Sequence, residues 1–286
     1  MTAAPPRAQV VGVDADSAGD LARFLTAPRS AAEDARDAVL RHQHLLDALE
    51  RGEYSRLLVW PGRTPRAVAH VGATGTLVVA GDPAGGRPLA RALEGSGWRV
   101  LLGDADLGAE VLAGARGLLR RRPRAREQRY MALRAAPSLA GPPGLRRAAV
   151  ADLAAVTELA CRLHVEDRMG PPLSRPARAG VTERMRASIA RGDTWVVADE
   201  GGAILAKVDV SLASPRWGAQ IAGVYVVEEA RGRGLAAGAT AAVAGGLLAR
   251  GLPGVTLHVR SDNLPGRRAY TRAGFVDGGA WLLALR

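Results

Sequence analysis

The chain contains a single cysteine, Cys161, which excludes an intrachain disulfide and an all-cysteine metal site. It is nearly empty of lysine: Lys207 is one of 39 basic residues, and the rest are arginine. No apolar run is long enough to span a bilayer. The opening residues, MTAAPPRAQV, lack the charged and then apolar order of a secretion signal. These absences lead to the expectation of a reducing, cytoplasmic setting with no membrane partner.

What is present is apolar surface and positive charge. Of 286 residues, 48% are hydrophobic, enough to build buried cores in two domains of ordinary size. The net charge of +11 would suit a nucleic-acid partner if it were massed on one tract. Instead the arginines are spread along the chain, as GC-rich coding produces. The exception, Arg120-Arg121-Arg122-Pro123-Arg124-Ala125-Arg126, reads as a solvated linker or rim. An anionic cofactor is a simpler use for part of the positive field.

The segment 138–144, Ser-Leu-Ala-Gly-Pro-Pro-Gly, interrupts helix and strand alike and is the candidate linker. It separates an N-terminal α/β domain, 1–137, from a C-terminal domain, 144–286. In the first half, 30–50 is helix-like. Strands are expected at 56–60, 67–71, 76–80, 98–102 and 130–133, with helices near 88–95 and 107–119. In the second, Asp152 stands where it could cap a helix carrying Leu153, Val156, Leu159, Ala160 and Leu163. A second helix spans about 178–190. Strands 195–198, 204–212 and 220–227 follow, then a glycine loop, helix 235–250, strand 255–259, helix 265–273 and a last strand near 281–285. The fold class is α/β, with a mixed sheet and helices on both faces.

The strongest chemical signal is the passage from Val224-Tyr225-Val226-Val227 through Glu228-Glu229-Ala230 into Arg231-Gly232-Arg233-Gly234-Leu235-Ala236. An apolar strand enters a loop with two glycines, and the loop opens a helix. Glycine lets backbone approach a ligand without a Cβ in the way. The first helical turn presents unpaired N–H groups and partial positive charge, which suit a pyrophosphate. A plain strand–turn–helix is the alternative. Further on, Asn263, Pro265, Tyr270, Gly274 and Phe275 mark a second helix: Pro265 suits its first turn, Gly274 its left-handed end, and Phe275 the core.

The two stretches together, over roughly 144–286, resemble the GNAT superfamily of N-acetyltransferases. Arg231, Gly234 and Ala236 match its pyrophosphate signature, and Asn263, Tyr270 and Gly274-Phe275 its second pattern. The resemblance implies acetyl-CoA as co-substrate, with no metal. It implies a cofactor site of Val226, Val227, Arg231, Gly232, Arg233, Gly234, Leu235, Ala236, Asn263 and Tyr270. Asn263 equally suits a helix cap. Tyr270 sits where the family often places the acid that protonates the leaving thiolate, or it is a half-buried aromatic.

A base must free the attacking amine. Glu228 is the candidate, directly or through water, and Glu229 reads as a surface carboxylate. Asp209, Glu166 and Asp167 are rivals, His258 reads as a filler, and Cys161 as core. The acceptor is an amine of a small molecule or a peptide. The first half lacks the phosphate loop, and a worn-down copy of the same fold is one reading of it. Arg124–Leu133 and Ala206-Lys207-Val208-Asp209 are similar to two-part bacterial acetyltransferases with an uncharacterised first domain. That domain would wall the acceptor site or dock a partner. Two other functions stay open: a non-catalytic acyl-CoA-binding regulator, and a tandem small-molecule acyltransferase like mycothiol synthase.

Overall fold

The computed structural model describes residues 9–30, 33–62, 64–115 and 123–286. Within them the chain divides into two compact units, one reaching Gln128 and taking in Ala280–Arg286, the other Arg129–Gly279.

In the first unit the order is β1 (Val11–Gly12), α1 (Ala18–Thr26), α2 (Ala35–Arg41), α3 (Gln43–Glu50), β2 (Leu57–Trp60), β3 (Ala67–Val71), β4 (Thr76–Gly81), α4 (Gly86–Ala92), β5 (Val100–Asp104) and α5 (Ala105–Gly114). The helix-like stretch 30–50 is two helices, because His42 leaves helical geometry. Its buried ring meets the Leu25 carbonyl at 2.6 Å and Arg29 at 2.8 Å. Helix α1 is an element that the sequence reading missed. Its signal was the spacing of Leu21 and Leu25, both fully buried. The end of the expected helix 107–119 lies outside the described residues, as do Arg120, Arg121 and Arg122 of the basic run. Arg124 and Arg126 begin the next strand, β6 (Arg124–Leu133).

The second unit continues with β7 (Leu145–Arg147), α6 (Leu153–Glu166), α7 (Arg175–Arg191), β8 (Thr194–Ala198), β9 (Ile204–Ser214), β10 (Gly218–Val226), α8 (Leu235–Ala249), β11 (Val255–Arg260), α9 (Leu264–Arg272) and β12 (Val276–Leu285). Asp152 does not cap α6. Its carboxylate accepts the Ala149 N–H at 2.7 Å and both terminal nitrogens of Arg146, closing the turn ahead of the helix.

Each unit repeats one order, a strand, helices, three antiparallel strands, a helix, a parallel strand, a helix and a last strand. The last strands are exchanged. In the first unit the sheet runs β1-β2-β3-β4-β5 and is completed by β12, whose Trp281 to Leu285 pair with Asp104 to Val100. In the second it runs β7-β8-β9-β10-β11 and is completed by β6. The two compact units meet within β6, after Gln128, and within β12, after Gly279.

The Gly/Pro segment 138–144 lies in the second unit, against α8. Two thirds of α8 is alanine or glycine, and small residues let backbone come close. A Cβ on Gly238 would meet the Ala140 carbonyl at 3.1 Å, and one on Gly245 would meet Pro137 at 3.4 Å. The other face of α8, with Ala241, Val243, Ala244 and Leu247, joins a core of Val208, Ile221, Leu257 and Phe275. On the opposite sheet face α6 and α7 bury Val156, Val181, Met185 and Ile189 against Val196. Cys161 is half-buried at the edge of that cluster.

Candidate active site

Strand β10 changes its partners along its length. It is antiparallel to β9 throughout, but parallel to β11 only from Ala219↔Val255 to Ile221↔Leu257. Both strands continue beyond that point, β10 to Val226 and β11 to Arg260. At the same place β10 carries a bulge: Ala222 pairs with Asp209 and Tyr225 with Lys207, so three steps on β10 answer two on β9. Gly223 takes up the extra residue at φ +60°. The ladder opens where the bulge turns the strand away, leaving the β10 edge from Ala222 to Val226 unpaired with β11.

The open edge leads into the glycine loop. Gly232 and Gly234 are both left-handed, with φ of +79° and +78°. Gly234 stands directly before α8, and no side chain caps the helix. A Cβ at either glycine would meet no atom within 4 Å. The residues thus form what an anionic group needs: uncapped first-turn amides, a helix N-terminus and clear space in front of them.

Both loop arginines are hydrogen-bonded. Arg231 donates to the Val226 carbonyl at 3.1 Å and to both oxygens of Glu166 at 2.7 and 2.8 Å, and its guanidinium lies over the Tyr225 ring. Arg233 donates to the Glu229 carbonyl at 2.9 Å. Tyr225 donates its hydroxyl proton to Glu166 at 2.6 Å, and burial together with that carboxylate pushes the phenol up to about 12. The sequence reading placed Glu166 among rival bases and gave Tyr225 no role. The structure brings them together at the end of α6, 65 residues from Arg231 in sequence. That end is fixed again by Arg260, which donates to the Glu166 carbonyl at 2.7 Å, and by Arg168, which pairs with Asp262 at 3.2 Å.

Glu228 and Glu229 follow β10 and are exposed. Both oxygens of Asp209 are engaged: Lys207 and the Thr194 hydroxyl donate to them. His258 meets the Gln220 side chain at 2.9 Å and the Tyr130 ring at 5.7 Å. Asn263 caps α9, its Oδ1 accepting the Gly266 N–H at 3.0 Å. Pro265 lies in the first turn, and Gly274 ends the helix at φ +94°. Tyr270 projects from α9, half-buried, edge-on to Phe275 with ring centroids 6.4 Å apart. Burial, and then the negative charge of Asp167, raise its phenol above the ordinary tyrosine range.

Among the described residues no cluster of three metal-ligating side chains occurs, and no helix is long and apolar enough to cross a membrane.

Residues 157–275 match the family model described as the acetyltransferase (GNAT) family. No curated protein is significantly similar to the chain. Among solved structures, the fold is similar to a GCN5-related N-acetyltransferase from Sphaerobacter thermophilus, at 20% identity and a TM-score of 0.59, covering 99% of this chain and 96% of that one. It is similar to a GNAT-family acetyltransferase from Colwellia psychrerythraea, at 14% identity and a TM-score of 0.54, covering 97% and 98%. A tandem GNAT protein of the clavulanic acid biosynthesis pathway gives 15% identity and a TM-score of 0.53, covering 98% of each chain. At these identities the likeness speaks for the fold.

Proposed function

We propose that the chain, whose residues 157–275 match the GNAT acetyltransferase family model, moves an acetyl group from acetyl-CoA to a primary amine by direct attack. The observation that carries this reading is the joint opening of the β10–β11 ladder and the uncapped, left-handed glycine loop at its end. A pyrophosphate needs the amides of residues 231–236. A pantetheine arm needs free backbone groups on a strand edge, and Val226 and Val227 lie on the path between the edge and the loop.

The thioester supplies an activated acetyl carbon. This chain's residues then have to remove one proton and deliver another. Glu228, an exposed carboxylate just past β10, takes the proton of the amine, directly or through one water. Tyr270, held protonated by burial, gives its proton to the sulfur as the carbon–sulfur bond breaks. Asn263 has committed its oxygen to the α9 cap, so only its amide N–H groups are offered to the cofactor. Arg231 serves through its backbone at the loop, because its guanidinium is engaged by Glu166.

The test is free-thiol release from acetyl-CoA against a panel of amines, amino acids and peptides, with coenzyme A binding measured by calorimetry beside it. Thiol release that depends on one class of amine, with acetylated product, supports the reading. Tight coenzyme A binding with no turnover on any amine would point to an acyl-CoA-binding regulator instead. No binding would overturn both.

A further inference from the structure

The only lysine in the chain is fully buried: Lys207 is 1% exposed. Its amine does two things. It pairs with the Asp209 carboxylate, and it donates to the carbonyl of Gly223 at 2.8 Å. Gly223 is the residue that carries the bulge in β10, and the β10–β11 ladder ends two residues before it. We infer that Lys207 is a positioning residue for the cofactor cleft: it clamps the bulge carbonyl, and so holds open the strand edge along which acetyl-CoA lies. This rests on the functional reading above.

A bulge takes one residue out of the ladder, and a carbonyl away from bulk water needs a replacement partner. Here the replacement comes from the neighbouring strand, from a side chain paired opposite Tyr225. The space is small. A Cβ on Gly223 would overlap the Asp209 carboxylate and lie 2.9 Å from the lysine amine. A guanidinium fork would not fit where a compact ammonium with three rotatable donors does. That explains why a chain using arginine at every other basic position keeps lysine here. Asp209 is held in turn by the Thr194 hydroxyl at 3.1 Å, which meets Ser188 at 2.8 Å. The clamp is therefore tied to β8 and α7, and the bulge does not depend on local backbone preference alone.

A merely structural ion pair and a positioning clamp give different results. Replacing a buried pair by apolar residues of similar size is often neutral or stabilising. The variant Lys207→Met/Asp209→Leu removes both charges together and should stay folded at room temperature with the parent's circular dichroism. Its affinity for coenzyme A should nevertheless fall by at least about tenfold, since the unclamped carbonyl lets β10 relax toward β11. Asp209→Asn keeps the amine and its bond to Gly223, and should bind within about threefold of the parent.

A folded double variant that binds coenzyme A like the parent overturns the inference. So does an Asp209→Asn variant as weak as the double one. If the double variant does not fold, the parent labelled with ¹⁵N-lysine and ¹⁵N-glycine decides, because one lysine gives one side-chain signal. Coenzyme A should shift that signal. A signal that stays fixed while the backbone amides of Gly232 and Gly234 move overturns the clamp. A parent that binds no coenzyme A overturns the functional reading itself, and the clamp with it.

Discussion

Replacing Gly234 by valine separates what the loop does for the fold from what it does for a ligand. The residue sits at φ +78°, where an L-residue is strained by roughly 1–2 kcal/mol, and somewhat more if β-branched. That is nearly the whole cost to the folded protein, because a Cβ there would meet no atom within 4 Å. At a few degrees of melting temperature per kcal/mol, the variant should stay folded at room temperature. The same open space is where the pyrophosphate is proposed to lie. Displacing it from even one first-turn amide loses a charge-assisted hydrogen bond, roughly 1.5–3 kcal/mol, or about 10- to 100-fold in Kd. Gly246, exposed on the same helix with no positive φ, is the control. Gly246→Ala should gain up to about 1 kcal/mol of stability and leave binding unchanged. Calorimetric titration with coenzyme A, beside a thermal melt, reads both effects. A folded Gly234→Val protein with the parent's Kd would refute the placement of the phosphates.

Three further outcomes are expected. Tyr270→Phe keeps the ring against Phe275 while removing the proton donor, so kcat should fall by about 10²–10⁴-fold with coenzyme A affinity little changed; an unchanged kcat, with chemistry rate-limiting, removes Tyr270 from the catalytic list. Calorimetry should give one coenzyme A per chain. In the first unit the parallel β4–β5 ladder runs closed to Val79↔Gly103, the Asp104 carboxylate takes the Gly81 N–H at 2.8 Å, and Asp82 already caps the turn that follows; a stoichiometry of two would contradict this. Burial, and then the charge of Arg29, lower His42 to about 4, so the folded protein resists a proton that the unfolded chain accepts near pH 6.5. The contribution to stability is complete above pH 6.5 and is lost as pH falls toward 4, at up to about 1.4 kcal/mol per pH unit. Denaturant melts across that window should show the slope, and His42→Gln should flatten it.

What could be read directly from the sequence was local. Two glycines between an apolar strand and an alanine-rich helix fix a strand–loop–helix, because left-handed backbone favours glycine there. Pro265 and Gly274 bound α9 through the missing N–H of one and the missing Cβ of the other. Tertiary structure decided the partners. That Arg231 would turn back to Glu166, that Lys207 would reach Gly223, and that β6 and β12 would exchange places were not legible. Periodicity tells which face of an element is buried, but not which other element covers it. Side-chain charge tells that a partner is needed, and only the chain's topology says which one comes within 3 Å. The opening of β10 from β11 belongs to the same class, since it depends on a bulge whose register is set by the neighbouring strand and held by a lysine sixteen residues away.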